Sequence, residues 1–243
     1  RAVVVTTAAG SFTIGGMAKG AGMIEPNLAT MLGFLTTDAD VAPSLLNQVL
    51  RTVAEDTFNA ISVDGESSTN DTVFMLANGT SGVKIAADGP TYSALVIGLT
   101  SVCTWLAQEI VRGGEGATKL VTISVVGATS NEEAKSAARL ISNSPLVKTA
   151  LHGGDPNWGR VLAVAGRSGV MFDQDKAEVR IGQVTLFANA TVFSEREPDA
   201  AQYMEGPEIE VTVDLGTGGN GRATMWTCDF SAEYVHINAD YRT

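Results

Sequence analysis

The residues best placed to do chemistry lie in GGMAKGAGMIEPNLATMLGFL, residues 15–35. This stretch delivers one threonine, Thr30, through a glycine-rich approach that carries Lys19, directly ahead of an apolar run that reads as a strand. Gly15, Gly16, Gly20 and Gly22 would allow backbone turns that side chains forbid, and Pro26 holds Glu25 extended. The Ala29–Thr30 bond therefore sits where a tight, exposed approach passes into buried structure. A hydroxyl beside a strained peptide bond suits both self-cleavage and nucleophilic catalysis. The plainer alternative is a threonine opening a strand, where β-branched residues are common.

Other residues offer weaker signals. Lys19 is either a solvated loop lysine or a binder of an anion or carboxylate. Glu115, between glycines in GGEGAT, follows a long helical pattern, where the negative end of the helix disfavours a carboxylate. Its placement needs compensation, from solvent or from a bound substrate. The string DPNWGR reads as structural: a proline turn, a large aromatic anchor and the charged Arg160. The polar loop DGESSTNDT, residues 64–72, could bind a ligand or hydrogen-bond its own backbone. The string GTGGNG, residues 216–221, matches the dinucleotide pattern G-x-G-x-x-G, but that motif needs a following helix. A strand-like run follows instead, so a hairpin loop is expected. His152 and His236 are distant in sequence and lack a ligand cluster, so no metal is expected. No G-x-S-x-G elbow supports a Ser-His-Asp triad.

Composition narrows the function classes. With 16 basic against 27 acidic residues the net charge is −11, which disfavours nucleic acid and anionic membranes as partners. An anionic metabolite would have to be recruited by local Lys or Arg. Hydrophobic content of 44% and charged content of 18% mark an ordinary folded chain rather than a disordered one. Cys103 and Cys228 form no disulfide framework, so a reducing cytoplasm is expected. The apolar stretch 94–111 is interrupted by Gly98, Thr100, Ser101, Gln108 and Glu109, which argues against a membrane span. The opening RAVVV, already strand-like and without Met, suggests part of a longer protein.

The elements that would position these residues follow from periodicity. Residues 1–9 read as a buried strand and 31–35 as another. Pro43 opens a helix whose apolar face is Leu45, Leu46, Val49, Leu50, Val53, Ala54 and Phe58. Strands are expected at 61–63 and 73–76, a long helix from Pro90 to Arg112, and a β-branched strand at 120–126. Ser130 with Glu133 makes a capping box for a helix reaching Ile141. Strands are then expected at 160–165, 179–181, 184–193, 209–215, 223–230 and 234–237. The fold class is mixed α/β, with antiparallel strands, a strand-rich C-terminal part and a weak boundary at 127–129.

Taken together, GGMAKGAGMIEPNLATML, DGESSTNDT, RGGEGATKL, GGDPNWGR and HINADYRT stand in an order and spacing that resemble the ornithine acetyltransferase family of arginine biosynthesis, over nearly the whole chain. The resemblance implies the layered sheet-and-helix architecture of self-processing N-terminal-threonine acyltransferases. It implies autocleavage at Ala29–Thr30, leaving 1–29 as the end of an α segment. Residues 30–128 would then be the catalytic part of a β chain, and 129–243 a second part whose terminus returns to the site. Thr30 would be the nucleophile, and Lys19, Thr30, Glu115, Asn238 and Thr243 the substrate contacts. The activity implied is acetyl transfer from N-acetylornithine to glutamate through an acetyl-threonine, in the cytoplasm. No cofactor is implied, acetyl-CoA being left open as a further donor. The partner implied is the α segment of the same precursor, in an αβ hetero-oligomer. The family's oxyanion pair, Thr-Gly, would fall upstream of residue 1, and Thr217-Gly218 does not correspond to it. Two alternatives remain: an N-terminal-nucleophile amidase or aminopeptidase, and an inactive, incomplete assembly partner.

Overall fold

The computed structural model describes residues 1–25 and 31–240, which form two compact units. The first comprises 1–61 and 66–110, the second 62–65 and 111–243. The division thus falls near the end of the long helix, not at 127–129. The reason lies in the strand before that expected boundary, which is central to the second unit's sheet.

In the first unit, strands β1 (Ala2–Thr7), β2 (Gly10–Lys19), β3 (Leu32–Thr37) and β5 (Thr72–Ala77) form one sheet in the order β1-β2-β3-β5. The first three are antiparallel, and β3 runs parallel to β5. β1 is an edge strand with alternating exposure rather than the buried strand expected. Helices α1 (Pro43–Glu55) and α2 (Pro90–Arg112) complete this part of the chain, and the last two residues of α2 count with the second unit. Pro43 occupies the first turn of α1, which buries Leu45, Val49 and Val53. By length and composition α2 could cross a membrane. Its Leu95, Leu99, Val102, Cys103 and Ala107 are nonetheless fully buried, as in the core helix of a globular unit.

Gly15 and Gly16 lie inside β2 and not in a turn. Gly16 is needed for close approach: a Cβ there would come within 2.7 Å of Leu35 Cδ2 and 2.9 Å of Leu106 Cδ1. The helix α2 can therefore lie directly on the sheet. The other face of the sheet carries Met17, Phe34 and Phe74 in one cross-strand row, all exposed, with the two rings stacked at 5.7 Å.

The second sheet has the order β4-β11-β6-β10-β7-β8-β9, with β4 (Ile61–Ser62), β6 (Leu120–Ala128), β7 (Glu178–Ile181), β8 (Val184–Ala188), β9 (Thr191–Val192), β10 (Glu208–Asp214) and β11 (Gly221–Cys228). β10 runs parallel to β6, while β11 flanks β6 antiparallel on its other side. The loop 216–220 therefore crosses the end of β6 and is no hairpin. Thr217 binds the Gly127 carbonyl through both its N–H (3.1 Å) and its Oγ1 (2.7 Å). β11 follows this loop, so the dinucleotide pattern has no helix to serve it. The run 184–193 is a hairpin, folded where Asn189 and Ala190 take φ of 49° and 58°.

Helices α3 (Asn131–Asn143), α4 (Pro145–Gly153), α5 (Trp158–Gly166), α6 (Glu197–Tyr203) and α7 (Ala232–Asp240) belong to this unit. Its core joins Val121, Ile123 and Val125 of β6 and Val211 of β10 to Ala138 and Ile141 of α3 and Leu162 of α5. Ser130 caps α3 by accepting the Glu133 N–H at 3.2 Å, whereas the Glu133 carboxylate turns to Thr129.

Two expected strands are helices. In α5, Asn157 Oδ1 accepts the Arg160 N–H at 3.1 Å, an N-cap that starts the helix and lets Val161, Leu162, Val164 and Ala165 share one buried face. The segment 234–237 lies inside α7, which has no buried residue and is held by polar contacts.

Candidate active site

The expected site residues fall into two groups. Ala29, Thr30 and Thr243 lie outside the described residues. Lys19 ends β2, opposite Leu32 of β3 in the register, and belongs to the first unit; Glu115 and Asn238 belong to the second.

In the first unit the polar loop grips both flanks of the segment that holds Thr30. Before it, Ser67 Oγ donates to the Glu25 carbonyl at 3.1 Å. After it, Asp71 Oδ1 accepts the Met31 N–H, and Thr72 N–H donates to the Met31 carbonyl at 3.0 Å. Parallel pairing of Leu32 with Thr72 then fixes the chain leaving this point. The loop 66–72 therefore holds the backbone on either side of the segment. Burial pushes the Asp71 carboxyl above its ordinary range, against the Met31 N–H and the positive charge of Lys19.

In the second unit the loop after α2 is built around a carboxylate. Asp229, its side chain fully buried, accepts the N–H groups of Thr118 (2.7 Å) and Lys119 (2.9 Å), the Thr118 hydroxyl (2.5 Å) and a contact from His152 Nδ1 at 2.7 Å. Burial alone would raise its pKa, but these hydrogen bonds outweigh it and hold the group below the usual carboxylate range. Lys119 Nζ in turn donates to the carbonyls of Leu151 and Met204, at 2.8 and 2.9 Å. Nearby, Lys148 is buried and donates to Thr227 Oγ1 (2.7 Å) and the Cys228 carbonyl (2.6 Å). Burial lowers its pKa.

This frame presents Glu115. Gly116 takes φ +69°, and a Cβ there would stand 2.5 Å from Tyr234 N, so only glycine lets α7 approach. Ser231 Oγ binds the Gly116 carbonyl at 2.6 Å, and Tyr234 OH reaches Asp64 Oδ2 at 3.3 Å. Asn238 Nδ2, one helical turn further, donates to Glu115 Oε2 at 3.0 Å and to the Tyr234 carbonyl at 3.0 Å. The carboxylate after α2 thus gains a donor from the far end of the chain. Half-buried and oriented, Glu115 can accept a cationic amine.

DPNWGR is structural here. Gly154, in the left-handed conformation, ends α4, Trp158 stacks on Phe187 at 4.7 Å, and Arg160 Nη1 binds the Leu146 carbonyl at 2.8 Å. His152 is engaged by Asp229, and no metal-binding cluster occurs among the described residues. Asp71 is one polar residue among several in the loop 64–72, and Asp229 belongs to no local motif, so neither is marked out by the sequence.

The family model for ArgJ matches residues 1–243. An arginine biosynthesis bifunctional protein ArgJ from Chlorobium chlorochromatii is 49% identical over 242 residues, covering 100% of this chain and 56% of that protein. A protein of Methanopyrus kandleri named glutamate N-acetyltransferase is 47% identical over 232 residues, 94% of this chain and 59% of its own length. The crystal structure of the arginine biosynthesis bifunctional protein argJ from Bacillus halodurans superposes with a TM-score of 0.81 at 36% identity, over 85% of this chain and 97% of that one. The chain spans less than two thirds of the length of these two curated relatives.

Proposed function

The chain belongs to the ArgJ family, and from that premise we propose that it carries the nucleophile of an acetyltransferase that moves the acetyl group of N-acetylornithine to glutamate. The observation that carries this reading is the whole-length family match, which includes a relative named for glutamate acetylation. Thr30 is the nucleophile in this account. Its hydroxyl attacks the Ala29 carbonyl carbon, the N→O shift breaks the carbon–nitrogen bond to give an ester and a free α-amine on Thr30, and water then hydrolyses the ester, releasing the Ala29 carboxylate and the Thr30 hydroxyl.

A free α-amine, titrating at about 7.7–8.0, can take the Thr30 hydroxyl proton near neutrality. The oxygen attacks the acetyl carbonyl carbon, the carbon–nitrogen bond breaks, and the departing ornithine nitrogen receives the proton. Glutamate then takes the acetyl group from the ester by the reverse steps. Glu115, oriented by Asn238, suits the side-chain ammonium of ornithine, and Lys19 suits a substrate carboxylate. The remaining segment of the precursor is the partner that would supply the oxyanion donors. Two buried, unpaired cysteines fit a reducing compartment such as the cytoplasm. Acetyl-CoA as a second donor is a separate arm of the same assay.

The test is an acetyl-transfer assay on the assembled protein with N-acetylornithine, with and without glutamate. Equal release of ornithine and N-acetylglutamate, with parallel double-reciprocal plots, is expected. Free acetate as the main product would instead identify an amidase.

A further inference from the structure

Part of the string GGDPNWGR has no share in the frame behind Glu115. Its Asn157, Gly159 and Arg160 line a groove with Ser144, Pro145 and Leu146 at the start of α4 and with Ala163, Val164 and Arg167 further along α5. The cavity measures about 550 Å³, inside the range of small-molecule sites, roughly 300–1,000 Å³. Residues 160, 163, 164 and 167 recur at helical spacing, so α5 and its C-terminal cap present them on one face. The result is an apolar surface of Pro145, Leu146, Ala163 and Val164 with a guanidinium at two points.

The charges of this groove run against those of the chain. The net charge is −11, yet both charged lining residues are arginines, and no acid lines the groove among the described residues. Asp155 touches its wall only by accepting from Asn157 Nδ2 at 3.0 Å. Arg160 uses one of its five donors on the Leu146 carbonyl, at 2.8 Å, which holds the guanidinium against the first turn of α4. The Arg167 side chain has no hydrogen bond or ion pair among the described residues. A held guanidinium and an unpaired one beside apolar surface suit a carboxylate that carries an apolar body. A cationic amine would be repelled.

We propose that the α4–α5 groove binds a small organic carboxylate, its anion between Arg160 and Arg167 and its apolar body on Leu146, Ala163 and Val164. None of these residues belongs to the frame behind Glu115, so the proposal stands whether or not Thr30 is the nucleophile. Carboxylate and guanidinium are both charged near neutrality, so no proton moves on binding.

Isothermal titration calorimetry of the assembled protein with phenylacetate tests this, with phenylacetamide and benzylamine as neutral and cationic analogues of similar shape. Phenylacetate should bind with a Kd of about 1 mM or tighter, and both analogues at least about tenfold more weakly. Arg167→Glu, at a side chain without a structural partner, should weaken phenylacetate binding at least about tenfold with the unfolding midpoint unchanged. Ala163→Trp fills the groove from an exposed position and should abolish binding. Binding that survives both variants belongs elsewhere on the molecule and overturns the proposal. So does equal affinity for phenylacetamide, or no heat from phenylacetate up to about 20 mM.

Discussion

Asp229 in the second unit is buried and Asp71 in the first is only partly so, and their carboxyls are perturbed in opposite directions. Asp229 accepts four hydrogen bonds from Thr118, Lys119 and His152, and its pKa falls. Asp71 accepts one, from Met31, leaves an oxygen unsatisfied among the described residues, and its pKa rises. A fully satisfied carboxylate is a fastener: its free energy is spent on holding a loop. A half-satisfied one keeps capacity for a group still to come. Asp229 belongs to the frame behind Glu115, and Asp71 to the clamp at Met31.

The comparison breaks most visibly if Asp229 is removed. Asp229→Ala leaves two backbone N–H groups and the Thr118 hydroxyl unpaired, and should cost about 3–5 kcal/mol in urea unfolding. Asp71→Asn should change stability by less than about 1 kcal/mol, since it removes an incompletely paired charge. Equal losses in the two variants would erase the distinction between them. Packing in the first unit sets the intermediate scale. Gly16→Val pushes a branched side chain against Leu35 and Leu106 and should cost about 1–3 kcal/mol, read by the same denaturation.

Acid sharpens the contrast further. The pKa of Asp229 is lower folded than unfolded, so between the two values the unfolded chain binds more protons. Its stabilising contribution is complete above the ordinary value of about 3.9 and is lost as pH falls through the folded value. Asp229→Asn should therefore flatten the acid side of the stability–pH curve, and an unchanged slope would contradict this. The smallest effect on stability belongs to Asn238→Ala, within about 0.5 kcal/mol, because that hydrogen bond is exposed. The same variant should raise KM for N-acetylornithine severalfold, and an unchanged KM would detach Asn238 from the site.

Much of this was legible in the sequence, for reasons that vary by element. The helices from Pro43 and Pro90 announce themselves by proline at the start and apolar residues at helical spacing. The strand beginning at Leu120 is a β-branched run. α5 and α7 were misread because RVLAVA and YVHI are short apolar runs that fit either period; the Asn157 N-cap was the available signal for α5. Gly16 in β2 looks like a turn former, yet it serves close packing against α2, which depends on Leu106, about 90 positions away. Lys19 and Glu115 stand out in the sequence because the motifs around them are contiguous. Asp71 and Asp229 do not, since their partners lie 40 and as many as 111 residues distant, and no local pattern encodes such contacts.

The central claim, that Thr30 is both cleavage point and acetyl carrier, is met most directly by mass spectrometry of the assembled protein quenched during turnover with N-acetylornithine. A fragment beginning at Thr30 is expected, heavier by one acetyl group, which disappears on adding glutamate. Thr30→Ala should give neither cleavage nor the added mass. An uncut chain that still transfers acetyl, or an acetyl group on any other residue, would contradict the account.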